Sequence, residues 1–283
     1  MRIAISAEST VDLSRDLLEK YDIKVISFEI VLGAEPYNSQ DVSAEKVIEF
    51  AENSRTLPKT TALNEFMYAE FFEKLRKDYD AVVHICLSGG ITSSCNNARQ
   101  ASEKTDGVYV VDSKTLSTGI GMLAIYGRKL ADKGFSPEEI AKKVSERTDK
   151  LESTFMIERL DFLYKGGRCN SLQLLGANLL RLRPRIILKD GKMTSDKKYR
   201  GSMEHVIGKY CEELFSEFDK PDLDTAFITY TTATEGMISV ARQACEKRGF
   251  KNIYEEHAGA TIACHCGGNT LGIFYFNDNG EAD

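Results

Sequence analysis

Residues 81–98, AVVHICLSGGITSSCNNA, restrict the fold more than any other stretch of the chain. Ala81–Leu87 is a short, mostly apolar run bounded by polar residues, the pattern of a buried strand. Ser88-Gly89-Gly90 is a turn signal. From Ile91 the pattern predicts a helix, with Thr92 as N-cap and Ala98 and Ala101 on its face. A strand, a small-residue turn and a helix N-terminus make a site suited to an anion. Glycines let backbone N–H groups approach a ligand, and the helix dipole favours negative charge. The hydroxyls of Ser88, Thr92, Ser93 and Ser94 add donors for a carboxylate or a phosphate. The loop has neither G-x-G-x-x-G nor the lysine of a P-loop. An ordinary βα turn with capping serines fits the local sequence as well.

The flanking pattern repeats this alternation. Ile3–Ser6, Ile23–Glu29 and Gly107–Asp112 read as strands; Leu13–Tyr21, the stretch after Ser43, Asn64–Leu75 and the apolar segment after Ser117 read as helices. Ser136-Pro137-Glu138-Glu139 is a capping box with proline in the first turn. Gly119 and Gly121 would weaken a helix, so they predict close packing against a neighbour or a ligand. Arg55–Asn64 reads as a loop. Alternating strands and helices predict a parallel sheet with helices on both faces, with ligands beyond the carboxyl ends of the strands.

After about Glu152 the pattern changes. Arg183–Leu188 and Lys192–Tyr199 flank Lys189-Asp190-Gly191, and Asp-Gly between extended runs is a strong hairpin signal. Met203–Glu217 and Glu235–Arg248 read as helices, Ala226–Tyr230, Asn252–Glu256 and Leu271–Phe276 as strands, and Thr261–Gly268 as a polar, glycine-rich turn. The expectation is an α/β chain of two domains, residues 1–152 with a parallel sheet and 153–283 with a mixed or antiparallel one.

The 283 residues carry a net charge of −6, which argues against broad binding to nucleic acid or to an anionic membrane. No apolar run reaches the roughly 18 residues of a membrane span. The N-terminus enters a strand pattern with no signal-peptide core, so a cytoplasmic protein is expected. Seven scattered cysteines do not suggest a disulfide framework. Cys264-His265-Cys266 invites a metal, but the spacing is not that of a zinc site, and reduced, partly buried thiols are expected there.

The order of these loops resembles the DegV family over nearly the whole chain. Glu8-Ser9-Thr10-Val11-Asp12-Leu13 is similar to that family's opening D-S-T-x-D-L, with Glu for Asp. Pro58-Lys59-Thr60-Thr61 stands for its T-S loop, without the S-Q-P-S-P continuation. Ser88-Gly89-Gly90-Ile91-Thr92-Ser93-Ser94 resembles S-S-G-L-S-G-T, and Val111-Asp112-Ser113 with Ser117 resembles V-D-S-x-x-x-S. Leu163-Tyr164-Lys165-Gly166-Gly167-Arg168 matches L-x-K-G-G-R. Asp190-Gly191-Lys192 and Lys198-Tyr199-Arg200-Gly201 match D-G-K and K-x-R-G. Cys264 to Gly272 resembles T-H-x-G-P-G-A-L-G without the proline.

The resemblance implies a protein that binds one long-chain fatty acid between two α/β domains and presents its carboxylate to a separate fatty acid kinase, which makes the acyl phosphate. It implies no catalysis, no cofactor and no metal in this chain, no nucleic acid partner and no stable membrane insertion. The implied carboxylate ligands are Thr60, Thr61, Ser88, Thr92, Ser93, Ser94 and His265, with Arg200 contacting the head group or the partner. The chemistry is coherent: directed donors at one end, dry surface at the other. Phe66, Met67, Leu116, Ile120, Leu123 and Phe162 are candidates for the apolar tunnel, and Arg181, Arg183 and Arg185 for a basic docking face. His84, in mid-strand, reads as a satisfied core residue. The competing expectation is an enzyme acting on a phosphorylated small molecule through the serine-rich loop, with Glu8 as its only obvious base.

Overall fold

The computed structural model describes residues 1–54, 56–169 and 182–281, so Arg181 lies outside the described residues. The chain begins with β1 (Ile3–Glu8), α1 (Arg15–Lys20), β2 (Ile23–Ile26), β3 (Glu29–Leu32), β4 (Glu35–Asn38) and α2 (Ala44–Ser54). It continues through β5 (Lys59–Thr61), α3 (Glu65–Arg76), β6 (Ala81–Cys86), α4 (Ser94–Ser102), β7 (Val108–Asp112), α5 (Thr118–Asp132) and α6 (Pro137–Arg147). Then follow β8 (Leu151–Met156), α7 (Leu160–Lys165), β9 (Arg183–Lys189), β10 (Lys192–Tyr199) and α8 (Met203–Glu217). The described chain closes with β11 (Thr225–Tyr230), α9 (Glu235–Arg248), β12 (Asn252–His257), α10 (Ala260–Cys266) and β13 (Leu271–Phe276).

Two main sheets result. The first is parallel, in the order β2-β1-β6-β7. Its strands β1 and β6 are buried along their whole length, as strands covered on both faces must be. Ile5 of β1 points towards α5 and α6, while its neighbour Ser6 bonds His84 on the side where Tyr68 and Phe72 of α3 pack. The second sheet is mixed, in the order β10-β9-β8-β13-β11-β12, with only β11 and β12 parallel. The α/β architecture with a parallel and a mixed sheet is therefore the one expected. The expected division after residue 152 falls inside β8, the first strand of the second sheet in chain order.

Helix α5 joins the two sheets. Ten of its fifteen residues are buried, including all of 118–124, so its first two turns have no solvent stripe and only its C-terminal half carries one, at Arg128, Lys129 and Asp132. One apolar core surrounds it, running from Ile3 and Ile5 of the first sheet to Phe155, Phe227 and Phe274 of the second. The other face of the mixed sheet is covered by α8 and α9 through a separate core around Tyr210 and Leu214. Gly119 and Gly121 face protein neighbours: a Cβ at Gly121 would lie 2.6 Å from Leu13 Cδ2, and one at Gly119 3.1 Å from Leu151 Cδ2.

Local signals behaved as their chemistry requires. Ser136 and Glu139 form the reciprocal capping box, and Asn64 accepts from Met67 N at the start of α3. Asp190 and Gly191 both have positive φ, +50° and +74°, as a two-residue hairpin turn needs.

Several expectations need correction. Helix α4 starts at Ser94, three residues later than the pattern suggested; Thr92 Oγ1 accepts from Ser94 N inside a preceding turn. Lys59–Thr61 is a strand, not a loop: it pairs with Glu29–Val31 in a small antiparallel sheet ordered β4-β3-β5. Residues 261–266 are helical, so His265 stands on the last turn of α10. Arg183 and Arg185 are not a free basic face. Arg183 pairs with Glu158 at 2.9 Å, and the buried Arg185 pairs with Asp196 and Glu217. Among the described residues no helix is long and apolar enough to cross a membrane.

Because α5 meets both sheets, added volume on it cannot be displaced to solvent. Gly121→Ala is expected to lower the unfolding free energy by about 1–3 kcal/mol, the usual cost of overpacking a filled core. Chemical denaturation of the two proteins measures it; an unchanged midpoint would contradict this packing.

Candidate ligand-binding cleft

The cleft is assembled from short pieces that the two sheets hold at one end of α5. β5 supplies Thr60 and Thr61, the turn before α4 supplies Ile91 and Thr92, and the segment entering α5 supplies Leu116. The hairpin supplies Met193, the segment after α7 supplies Arg168, and α10 supplies Thr261, Ile262, His265 and Cys266. Together with Phe28 and Leu87 these residues surround a space of about 520 Å³. A second space of about 270 Å³ adjoins it and shares Leu116, Ile262 and Cys266 as lining. Its remaining walls are mostly apolar, with Phe155, Ala258 and Phe274. On the opposite side Ile91, Arg168 and Met193 are shared with an open groove of about 840 Å³, edged by Gly90, Gly167 and Lys192. The three spaces form a line from a polar mouth to an apolar interior.

The polar atoms concentrate in the middle space. His265 Nε2 lies 2.9 Å from Thr60 Oγ1. Among the described residues, the buried His265 Nδ1 has no hydrogen-bond partner, and neither does Thr261 Oγ1. Thr261 and His265 are four residues apart on α10 and so share a helix face. Burial, and secondarily the nearby Arg168 cation, hold the His265 ring down to about 4, so it is neutral at pH 7. Arg168 donates to Gly166 O at 2.6 Å and has no ion pair among the described residues. Gly166 gives His265 its room: a Cβ there would stand 2.8 Å from Nδ1. The exposed Arg168 is the cation of the cleft, with hydroxyls and a neutral imidazole beside it.

The expected site residues divide. Thr60, Thr61, Thr92 and His265 line the middle space together. Ser88 does not face it: its buried hydroxyl donates to Gly191 O at 2.7 Å, which ties the loop to the hairpin turn. Ser94 is buried behind the loop, accepting from Leu63 N and from Thr92 Oγ1. Ser93 is exposed and caps no N–H. Arg200 is exposed just beyond Tyr199, which pairs with Arg183 at the far end of the hairpin from Lys192. Seven residues of strand, about 23 Å, separate it from the lining Met193. Of the apolar candidates, Leu116 lines both inner spaces, whereas Ile120, Leu123 and Phe162 are filled core and Phe66 and Met67 lie on the outside of α3. Arg168, Thr261 and Ile262 were missed. Arg168 ends the K-G-G-R motif, and the i, i+4 spacing of Thr261 with His265 would have found the second had the segment been read as helical.

Other groups that invited chemistry are occupied. Glu8 is buried; its carboxylate accepts from Tyr68 Oη at 2.6 Å and Leu87 N at 2.8 Å, and it does not line the cleft. Cys264 and Cys266 belong to different cores, and burial pushes both thiols up to about 12. They do not form a shared metal site with His265.

The depressed His265 value has a definite sign. Between about pH 6.5 and 4 the unfolded chain takes up a proton at this ring and the folded one does not, so stability is lost as pH falls through that window. NMR titration of the His265 ring is expected to show a midpoint near 4, and His265→Asn to flatten this part of the stability–pH curve. A midpoint near 6.5 would contradict the burial described here.

The comparisons with known proteins agree with the fold. The family model described as "Uncharacterised protein, DegV family" matches residues 2–278. A DegV domain-containing protein of Staphylococcus aureus strain COL is 34% identical over 275 residues, 95% of this chain and 96% of the relative. The crystal structure of DegV of Bacillus subtilis, a fatty acid binding protein, superposes with a TM-score of 0.86 at 26% identity, covering 98% of this chain and 99% of that one. A fatty-acid-binding DegV family protein from Thermus thermophilus shares the fold, with a TM-score of 0.90 at 23% identity, covering 98% and 99% of the two chains. On the extent of the family match and the identity to the staphylococcal relative, this chain belongs to the DegV family.

Proposed function

We propose that the chain binds a long-chain fatty acid, with the carboxylate in the middle space and the acyl chain in the apolar inner one. The observation that carries this reading is the joining of the two spaces through Leu116, Ile262 and Cys266, with polar atoms of Thr261 and His265 on the mouth side that have no partner among the described residues. A carboxylate needs a few directed donors and a cation, and Thr60, Thr61, Thr92, Thr261, His265 and Arg168 supply them. Each hydrogen bond to a charged group contributes about 1.5–3 kcal/mol. The chain contributes about 0.8 kcal/mol per buried methylene, so affinity rises with chain length until the inner space is full. The fatty-acid-binding relatives support this reading by their shared fold and, for the Bacillus protein, by sequence.

Presentation of the carboxylate to a separate fatty acid kinase extends the reading. It is supported by the family resemblance and by the open groove at Gly90, Arg168 and Lys192, where two cations flank the exit from the carboxylate site. Arg200 falls to the partner surface in this reading, away from the head group. The polypeptide itself needs no catalytic group, cofactor or metal for such a role. The alternative, catalysis on a phosphorylated small molecule, requires a base at the cleft. Glu8 is committed elsewhere, and the inner space has little to offer a polar substrate.

Titration with palmitate, with sugar phosphates as competitors, tests the reading. Palmitate is expected to bind with one site per chain and to resist competition. Arg168→Ala and Thr261→Val are each expected to weaken binding by about tenfold, the loss of roughly one charge-assisted hydrogen bond. Displacement of palmitate by a sugar phosphate, or tighter binding of the sugar phosphate itself, would favour the alternative.

A further inference from the structure

Beyond the inner space lies an open pocket on the same face of the mixed sheet, about 400 Å³, with an apolar wall of Met122, Tyr126, Phe227 and Phe276 next to the inner space and charged side chains, among them Lys129, Arg147 and Asp222, at its rim. Thr229 of β11 lines the inner space, and Phe227, two residues earlier, lines the outer pocket. Phe274 and Phe276 of β13 stand in the same relation. Side chains two apart on a strand share a face, so the outer pocket continues the line of the acyl site, about 7 Å further along. The two spaces share no lining residue. At their boundary Thr118 of α5 and Thr229 of β11 bond each other hydroxyl to hydroxyl at 2.5 Å, both buried. One turn along α5 stands Met122, 4% exposed, and Phe227 is fixed by stacking on Tyr254 at 5.0 Å between ring centroids.

We propose that this partition, Thr118 with Thr229 backed by Met122 and Phe227, is the stop that sets the longest acyl chain the protein accepts. The inference rests on the fatty-acid reading above. Each threonine hydroxyl satisfies the other, so a chain end that parted them would leave a buried polar group unpaired. Met122 and Phe227 are held by helix and sheet and cannot yield without opening a core. The methyl end of the ligand therefore rests against the hydroxyl pair. Removing bulk behind the pair joins the outer pocket to the site and lengthens the preferred chain.

The test offers a mixture of saturated straight-chain fatty acids of stepped length to the unaltered protein, Met122→Ala and Phe227→Leu, and identifies the bound acid by native mass spectrometry. Both substitutions are expected to move the preferred length upwards by about two methylenes or more, each newly buried methylene raising affinity about fourfold. An unchanged preference in a variant that unfolds at the normal denaturant concentration would overturn the stop. Should a variant fail to fold, an acid carrying a ¹³C-labelled terminal methyl is bound to the unaltered protein instead. Nuclear Overhauser contacts are expected from that methyl to Phe274 and none to Tyr126 or Phe276; contacts to the latter two would overturn the proposal. Unaltered protein that binds no acid of any length removes the fatty-acid reading and this inference together, whereas binding with no length shift removes the stop alone.

Discussion

The structure depends on burying the N-terminal half of α5, residues 118–124, on every side. Turns of helix with no face left to solvent need cover all round, and here the parallel sheet lies on one side and the mixed sheet on the other. That single requirement holds the two α/β units together around one continuous core. Polar ties reinforce the same seam: Ser117 donates to the buried Asp12 at 2.5 Å, and Thr115 pairs with Ser153 at 2.6 Å. Further out, Arg147 bridges Asp222 and Asp278 at 2.9 and 3.0 Å while lying over the Phe276 ring. Apart from the pocket beside Met122 and Tyr126, packing fails just before the N-terminus of α5, where β5, α10, the hairpin and the turn before α4 meet. The cleft is that failure of packing.

Its chemistry follows from what the loops bring. On the inward side the walls come from strands of the mixed sheet, α10 and the segment entering α5, and are mostly apolar. On the outward side they are helix ends and a strand edge, which carry hydroxyls, one neutral imidazole and one cation. Such an arrangement has a wet end and a dry end, the polarity of an amphiphile. A neutral His265 is part of that design: it offers a hydrogen bond without placing a buried positive charge in the cleft, and the charge is left to Arg168 at the mouth. The glycine at 166 is explained by the same contact, since any side chain there would strike the ring.

Much of this was legible in the sequence, for reasons that differ by element. The hairpin at Asp190-Gly191, the capping box at Ser136 and the strand at Ala81 rest on interactions within a few residues, so their signals are local. The strand at Lys59–Thr61 was not legible because three residues carry no periodicity and its partner, Glu29–Val31, is distant in the chain. α10 was misread because its small residues and flanking glycines resemble a turn; tertiary burial of six of its seven residues makes it a helix. Among site residues, types were easier to foresee than directions. Ser88 and Ser94 were expected beside Thr92, yet both spend their hydroxyls on joining loop to scaffold. Phe66 and Met67 look like tunnel residues in sequence but lie on the outer side of α3.

The central claim is that the line of spaces between the two sheets is an acyl site with its polar end at Thr60, Thr261, His265 and Arg168. Native mass spectrometry of the purified protein, followed by extraction and identification of whatever is bound, tests it most directly. The account predicts one fatty acid per chain, retained through purification or taken up from an added mixture, and lost on denaturation. A protein that carries nothing and gains no mass with any long-chain acid would contradict it.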